Sequence, residues 1–434
     1  MSIQAEYLVE GKYTLGSLLE SGVSSSGIAK IERVLKLPAN SHDEKIFFVG
    51  FFEVENKLFI SFPKSLNIDL LSNLHIRALM LLMRKISQNT NVTNRIPDNA
   101  FLRNAQNTEH LTRLNLAEFI VNDFLTHGDI TFKSNKIITN NVHDPNWQKT
   151  IDSIIPITSG FSHIYDVWVS NKKWSKHDQI IKNIHHYVLE QCVQRYGVLF
   201  GVDEKEIVNT AGNSALPKNA VRLIDAKLRE VYVQRDILIL KALKKWLENR
   251  NEVSAPEFYG TQYFHIIWEE ICSYLLKNRK NKDIWKQAFQ RPVWTYYDTG
   301  QELSSSPFEV DVICEELDGK LILADAKYYD ISLRDRGILS VADLSKQINY
   351  ETQLINSEDF ERNYASKENL INLFLFPADS PNQIASLFCD IRFPKLYERK
   401  LYGISLDITT CIDRYCSENP LSSSEIGGLV SDIG

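Results

Sequence analysis

Hydrophobic and polar positions change their period several times along the chain, and the changes predict its elements. From Glu44 to Lys64 (EKIFFVGFFEVENKLFISFPK) two β-rich runs flank Glu55-Asn56, which predicts a hairpin. In Asp69–Gln88, Leu70, Leu71, Leu74, Ile76, Leu79, Leu81 and Leu82 recur at helical spacing. A second helix is predicted over Leu114–Leu125, ending near His127-Gly128, where glycine suits a left-handed cap. Asp129–Asn140 alternates weakly, as a strand pair turning near Ser134-Asn135 would. Trp174–Arg250 reads as helices. Its clearest segment is Asn219–Asn249, with Val221, Leu223, Ile224, Leu228, Val231, Ile237, Leu238, Leu240, Leu243 and Trp246 at helical spacing. From Tyr259 the pattern becomes a helix, several strands and another helix, and the Ser- and Gly-rich Ser417–Gly434 reads as a frayed tail.

These shifts divide the chain into an α+β N-terminal domain (1–165), a helical middle (166–255), a C-terminal α/β domain (256–417) and a flexible tail (418–434). A length of 434 residues suits two or three domains. Hydrophobic residues at 44% and charged residues at 24% fit a soluble globular protein. No apolar run approaches the ~20 residues of a membrane span, and the N-terminus lacks the basic-then-apolar order of a secretory signal. Six scattered cysteines form no CxxC pair, so they read as buried thiols of a reducing compartment, and a cytoplasmic location is expected. The net charge of −6 and pI near 6.0 are unlike a protein that grips DNA mainly by its own surface. Either a local basic patch touches the backbone or another subunit does most of the holding.

The chemistry concentrates in Pro307–Asp330 (PFEVDVICEELDGKLILADAKYYD). Two β-rich runs flank the turn signal Leu317-Asp318-Gly319. If Glu316 and Lys320 close a three-residue loop with Gly319 left-handed, Asp311 faces Asp325 and Glu309 faces Lys327. Alternation then puts Asp325 and Lys327 on one face, with Asp311 on the same face of the next strand. Cβ atoms of such cross-strand partners lie roughly 5 Å apart, so the two carboxylates can share a hard cation. Phosphodiester hydrolysis needs a deprotonated water and an offset for charge on phosphate oxygens. Mg²⁺ supplies both and favours carboxylate, carbonyl and water oxygens. Asp311, Asp325 and the Ala326 carbonyl are the predicted metal ligands, with Lys327 beside the attacking water or the scissile phosphate. A plain solvated hairpin is the competing reading, opposed by the apolar Leu321–Ala324 run that marks a buried strand. The same tripeptide at Asp225-Ala226-Lys227 lies in a helical run, where i and i+2 diverge, and cannot form the site.

Upstream, YGTQYFHIIWEEICSYLL (Tyr259–Leu276) reads as an apolar helix carrying Glu269-Glu270. Its buried stripe is Phe264, Ile267, Trp268, Ile271 and Leu275. Glu269 is favoured over Glu270 as a further metal ligand. Downstream, Asp343–Ile355 reads as a helix whose Gln347 and Tyr350 share a face and are positioned to orient a phosphate or metal-bound water. Lys277–Arg291 carries Lys277, Arg279, Lys280, Lys282, Lys286 and Arg291 with Trp285 and Phe289 interleaved. It reads equally as a phosphate contact or a solvated loop. His163, His185 and His186 lack ligand spacing and read as ordinary histidines, and Trp147 reads as a core residue under the N-terminal domain, with contact to a partner as the alternative.

The helix YGTQYFHIIWEEIC, the block FEVDVIC…LILADAKYY and the QINY helix together resemble LlaJI-family restriction endonuclease subunits, relatives of the McrC nuclease subunit of McrBC systems. The Asn146–Ile151 stretch and the hairpin FVGFFEVENKLFISFPK are similar to that family's N-terminal half. The resemblance implies a C-terminal PD-(D/E)xK restriction-endonuclease-like domain, a mixed sheet flanked by helices. It implies Asp311, Asp325 and Lys327 as the catalytic triad, Glu269 as the helical acid, and Gln347 and Tyr350 as auxiliaries. Val310-Asp311 replaces the Pro-Asp of the motif's name, with Pro307 further back. The expected function is Mg²⁺-dependent cleavage of double-stranded DNA (Mn²⁺ substituting) in a bacterial restriction system, beside a separate McrB-like AAA+ GTPase. The chain shows no G-x-x-x-x-G-K-[ST] loop of its own. The alternatives are a stand-alone repair nuclease or exonuclease and a non-catalytic adaptor with a nuclease fold.

Overall fold

The computed structural model describes residues 5–38, 43–55, 57–97, 113–132, 145–160, 162–169, 176–202, 216–248, 256–277, 285–305, 309–315, 319–331, 339–364, 366–380, 383–393 and 397–430. The chain forms two compact units, Ala105–Ser254 and Ile3–Asn104 together with Ala255–Gly434. The boundaries drawn from composition cut across this division, because residues before 105 pack with residues after 254.

Backbone pairing explains the merger. In the larger unit β1 (Glu6–Val9), β2 (Val49–Val54), β3 (Lys57–Phe62) and β4 (Glu257–Thr261) form a sheet of order β1-β3-β2-β4. The predicted hairpin is β2–β3, antiparallel from Gly50↔Ser61 to Val54↔Lys57, with Glu55 at φ 50; Asn56 of its turn lies outside the described residues. The other edge of β2 pairs with β4, Val49↔Thr261 to Glu53↔Glu257. Gly50 and Gly260 face each other there: a Cβ on Gly260 would stand 2.1 Å from the Val49 carbonyl oxygen, so only glycine permits the approach. Tyr259–Thr261 is therefore strand, and the helix expected from Tyr259 begins only at Phe264 as α2 (Phe264–Leu275). Helix α1 (Asn73–Gln88) realises the predicted amphipathic segment.

A second, five-stranded sheet contains β5 (Val312–Glu315), β6 (Leu321–Ala326), β7 (Leu370–Ala378), β8 (Ala385–Phe393) and β9 (Tyr397–Asp407), in the order β8-β9-β7-β6-β5. It is mixed: β6–β7 and β7–β9 are parallel, β5–β6 and β8–β9 antiparallel. Both β6 and β7 are buried along their whole length, as central strands require. Helix α3 (Val341–Ile355) covers one face, packing Tyr350, Leu354 and Ile355 against Ile313, Leu321 and Leu323. Trp268 of α2 donates its indole N–H to the Leu375 carbonyl at 3.3 Å. Helix α4 (Ile408–Cys416) follows β9 and packs on α1. The expected tail instead forms α5 (Ser423–Val430), held by buried Leu421, Ile426 and Leu429 and by an ion pair of Arg414 with Glu425. Three apolar anchors outweigh its Ser and Gly content.

The smaller unit is mainly helical: Arg113–His127, Lys176–Phe200, Ala220–Leu228 and Gln234–Glu248 pack together. The Arg235 guanidinium forks onto Asp123, Nε–Oδ1 2.9 Å and Nη2–Oδ2 2.8 Å. Gly128 has φ 71, the expected left-handed cap. The run Asn219–Asn249 is two helices broken at 229–233, where Tyr232 and Val233 are exposed; Lys244 folds back onto Asp225 at 2.7 Å. Asp225-Ala226-Lys227 is helical, and Lys227 pairs with Asp178 at 2.5 Å. Trp147 is exposed instead of lying in a core, whereas His185 and His186 are buried. The turn expected at Ser134-Asn135 lies outside the described residues. All six cysteines are free, four of them buried. Among the described residues no helix is long and apolar enough to cross a membrane.

Candidate active site

The β5–β6 register is the one that the turn demanded. Leu321 pairs with Glu315 and Ala324 with Val312, and Gly319 has φ 73; Glu316, Leu317 and Asp318 lie outside the described residues. The ladder ends at Ala324↔Val312, and one further step in the same register leads to Asp311 and Asp325, the first of which precedes the strand. The Ala326 N–H donates to Asp311 Oδ2 at 3.0 Å, fixing that carboxylate beside the end of β6. Along β6 one face is apolar at Leu321 and Leu323, which pack under α3, and becomes charged at Asp325.

Five ionisable groups meet there. Asp325 is almost fully buried, at 1% exposure. Lys327 Nζ stands 2.7 Å from Asp325 Oδ2 and 2.7 Å from Asp343 Oδ1. Lys346 Nζ approaches the other oxygen of Asp325, Oδ1, at 3.5 Å. Burial pushes the Asp311 carboxyl up to about 7; repulsion from Asp325 and Glu269 adds to this, against Lys346 and the Ala326 N–H. Burial opposes the Lys327 charge, but Asp325 and Asp343 outweigh it and raise its pKa. Asp343 is lowered despite burial, through Lys327 and Ser340. Sequence reasoning missed Asp343 and Lys346. The first was legible as the fourth residue of Ser340-Val341-Ala342-Asp343, a capping box that starts α3.

The remaining candidates are placed differently. Glu269 is ion-paired with Arg95, and Glu270 accepts a 3.4 Å hydrogen bond from Asn89. Gln347 and Tyr350 do share a face, but both are buried against protein. Gln347 Nε2 donates to Asn372 Oδ1 at 2.6 Å, and Tyr350 donates its O–H to the Glu309 carbonyl at 2.7 Å. Trp285 and Phe289 lie in the hydrophobic core with Tyr350, so they do not interleave a basic surface; Arg279, Lys280 and Lys282 lie outside the described residues.

The residues present fit a divalent cation in part. Asp325 Oδ2 is buried and accepts no aligned hydrogen bond, although Lys327 is near. Yet among the described residues no group of three or more His, Cys, Asp or Glu stands ready to hold an ion. Two acids are brought together, and the third is occupied by Arg95.

The acid pair also sets a pH dependence. An unfolded Asp titrates near ~4, and the folded Asp311 near 7. Between these values the folded chain binds more protons. The contribution is full below about 4 and is lost as pH rises through about 7. Without divalent ions, urea unfolding at pH 5 and pH 8 will show this loss, on the order of 2 kcal/mol after solvent screening. Asp311→Asn will flatten it. An unchanged slope in the variant would refute the assignment.

A mixed sheet with an acid pair and two lysines at one end of its interior strand β6 is the frame of a candidate hydrolase. The chain belongs to the LlaJI restriction endonuclease family, whose sequence model matches residues 48–412. The type II restriction enzyme BsuMI component YdjA of Bacillus subtilis (strain 168) is similar, 25% identical over 302 residues. That match covers 66% of this chain and 63% of the relative, so the chain spans less than two thirds of that protein's length. A solved structure, the refined half-complex from a tetradecameric assembly of Thermococcus gammatolerans McrB AAA+ hexamers with bound McrC, aligns over 95% of this chain and 99% of its own. The identity there is 11% and the TM-score 0.32.

Proposed function

We propose that the five-stranded sheet and its helices form a Mg²⁺-dependent nuclease of the PD-(D/E)xK type, and that the chain hydrolyses phosphodiester bonds of duplex DNA within a restriction system. The observation that carries this reading is the Asp311–Asp325 pair, two carboxylates on adjacent strands with Lys327 and Lys346 against one of them. Asp311, Asp325 and the Ala326 carbonyl would hold the cation, with Glu269 joining on release from Arg95. When bound, the ion would supply an acidified water and offset charge on the phosphate. The protein's own part is to fix the acids by strand register and to keep Lys327 charged and immobile between Asp325 and Asp343.

Family membership and the absence of a P-loop sequence in the chain support a separate AAA+ GTPase as partner, and a net charge of −6 suits a subunit that does not grip DNA alone. One observation favours a non-catalytic adaptor instead: Glu269 is already neutralised by Arg95. A supercoiled-plasmid assay with Mg²⁺, with and without the neighbouring AAA+ subunit and GTP, separates the readings. Cleavage that needs metal and partner supports the proposal, cleavage by the chain alone supports a stand-alone nuclease, and no cleavage with the complex intact supports the adaptor.

A further inference from the structure

The site holds two lysines, and they are not equivalent. Lys327 is 15% exposed, and its ammonium is shared between two carboxylates at 2.7 Å each. Moving it toward a substrate would strip Asp343 of this partner, whatever cation compensates Asp325. Lys346 is 42% exposed, reaches Asp325 Oδ1 at only 3.5 Å, and lies with Nζ 5.3 Å from the centre of the Tyr350 ring. It sits one turn after Asp343 on α3, a helix whose Gln347 and Tyr350 are locked against the sheet. Its backbone is thus fixed, while its four-carbon stem can swing an ammonium that meets Asp325 at 3.5 Å and hydrogen-bonds the Tyr350 side chain.

Resting on the nuclease reading above, we propose that Lys346 is a further cation that meets the scissile phosphate beside Lys327, and that in the metal-free protein it serves as internal counter-ion to the acid pair. Lys327 keeps a 2.7 Å tether to Asp343, so of the two lysines it has the shorter reach. The two duties of Lys346 exclude each other in time. Lys346 gives charge balance to Asp325 and Asp311 while no divalent ion is present. Once the acids have another cation, its ammonium is free for a phosphate oxygen as negative charge develops there.

The proposal makes metal affinity and catalysis move in opposite directions. In Lys346→Met a competing cation is removed but the apolar stem is kept. Mn²⁺ binding to the full chain, read by titration calorimetry without DNA, will tighten about tenfold. Single-turnover plasmid cleavage by the assembled system will fall about 10²-fold through kcat. Lys346→Arg will regain most of the cleavage and wild-type Mn²⁺ affinity. Lys346 is partly exposed, and a melting temperature unchanged by either substitution certifies the fold. Unaltered Mn²⁺ affinity with cleavage within threefold of wild type overturns the proposal. A wild-type chain that neither binds Mn²⁺ nor cleaves in the complex overturns the nuclease reading itself, and this inference with it.

Discussion

Replacing Asp325 by Asn will lower plasmid cleavage by the assembled restriction complex ~10³-fold or more, while complex formation with the AAA+ subunit is kept. Asp325 meets both lysines and acts on the charge of Asp311. Lys327 contacts one of its oxygens, Lys346 approaches the other, and its repulsion lifts the Asp311 pKa. Asn keeps the volume of the side chain and removes the charge that both lysines and a metal would need. Because Lys327 retains Asp343, the loss of fold stability should be modest beside the loss of rate. Single-turnover kinetics with size-exclusion analysis of the complex is the measurement, and cleavage within tenfold of wild type would falsify the site.

The largest stability effect is expected away from the acids. Arg399→Ala will destabilise the larger unit by ~3–5 kcal/mol, read as a fall in the urea midpoint. Arg399 bonds Glu351 and the carbonyls of Lys367 and Leu370, and Glu351, 1% exposed, also accepts from Asn372 Nδ2 at 2.5 Å. Removal of the guanidinium leaves a buried carboxylate without the cation that it is paired with. Adding Glu351→Gln to that variant removes the orphaned charge and should recover part of the loss. If the double variant is no more stable than Arg399→Ala, the charge-burial account is wrong.

This network also explains what was legible in the sequence. Asp311 and Asp325 could be paired from the residues because a hairpin register depends on local turn chemistry, here Gly319 at φ 73. The orientation of α3 is set instead by the chain Arg399–Glu351–Asn372–Gln347, in which two residues of the helix meet partners more than twenty residues away. Glu351 reads as a solvated helix charge until its partners are known. Gln347 was therefore expected to face the substrate, and Lys346 beside it went unnoticed. The domain boundary failed for the same reason. Nothing near Tyr259 announces that its strand belongs beside Phe51.

That long-range strand pairing has a consequence for synthesis. When the first hundred residues leave the ribosome, the hairpin of Val49–Val54 and Lys57–Phe62 presents an unmated row of amides and carbonyls. Its mate arrives on the order of 200 residues later. Throughout that interval the nascent chain carries a sticky, phenylalanine-rich edge of the kind that recruits chaperones or zips onto neighbours. Slow elongation within the intervening segment would lengthen the exposure, so yield in a heterologous host should depend on translation speed there more than on the stability of the finished protein.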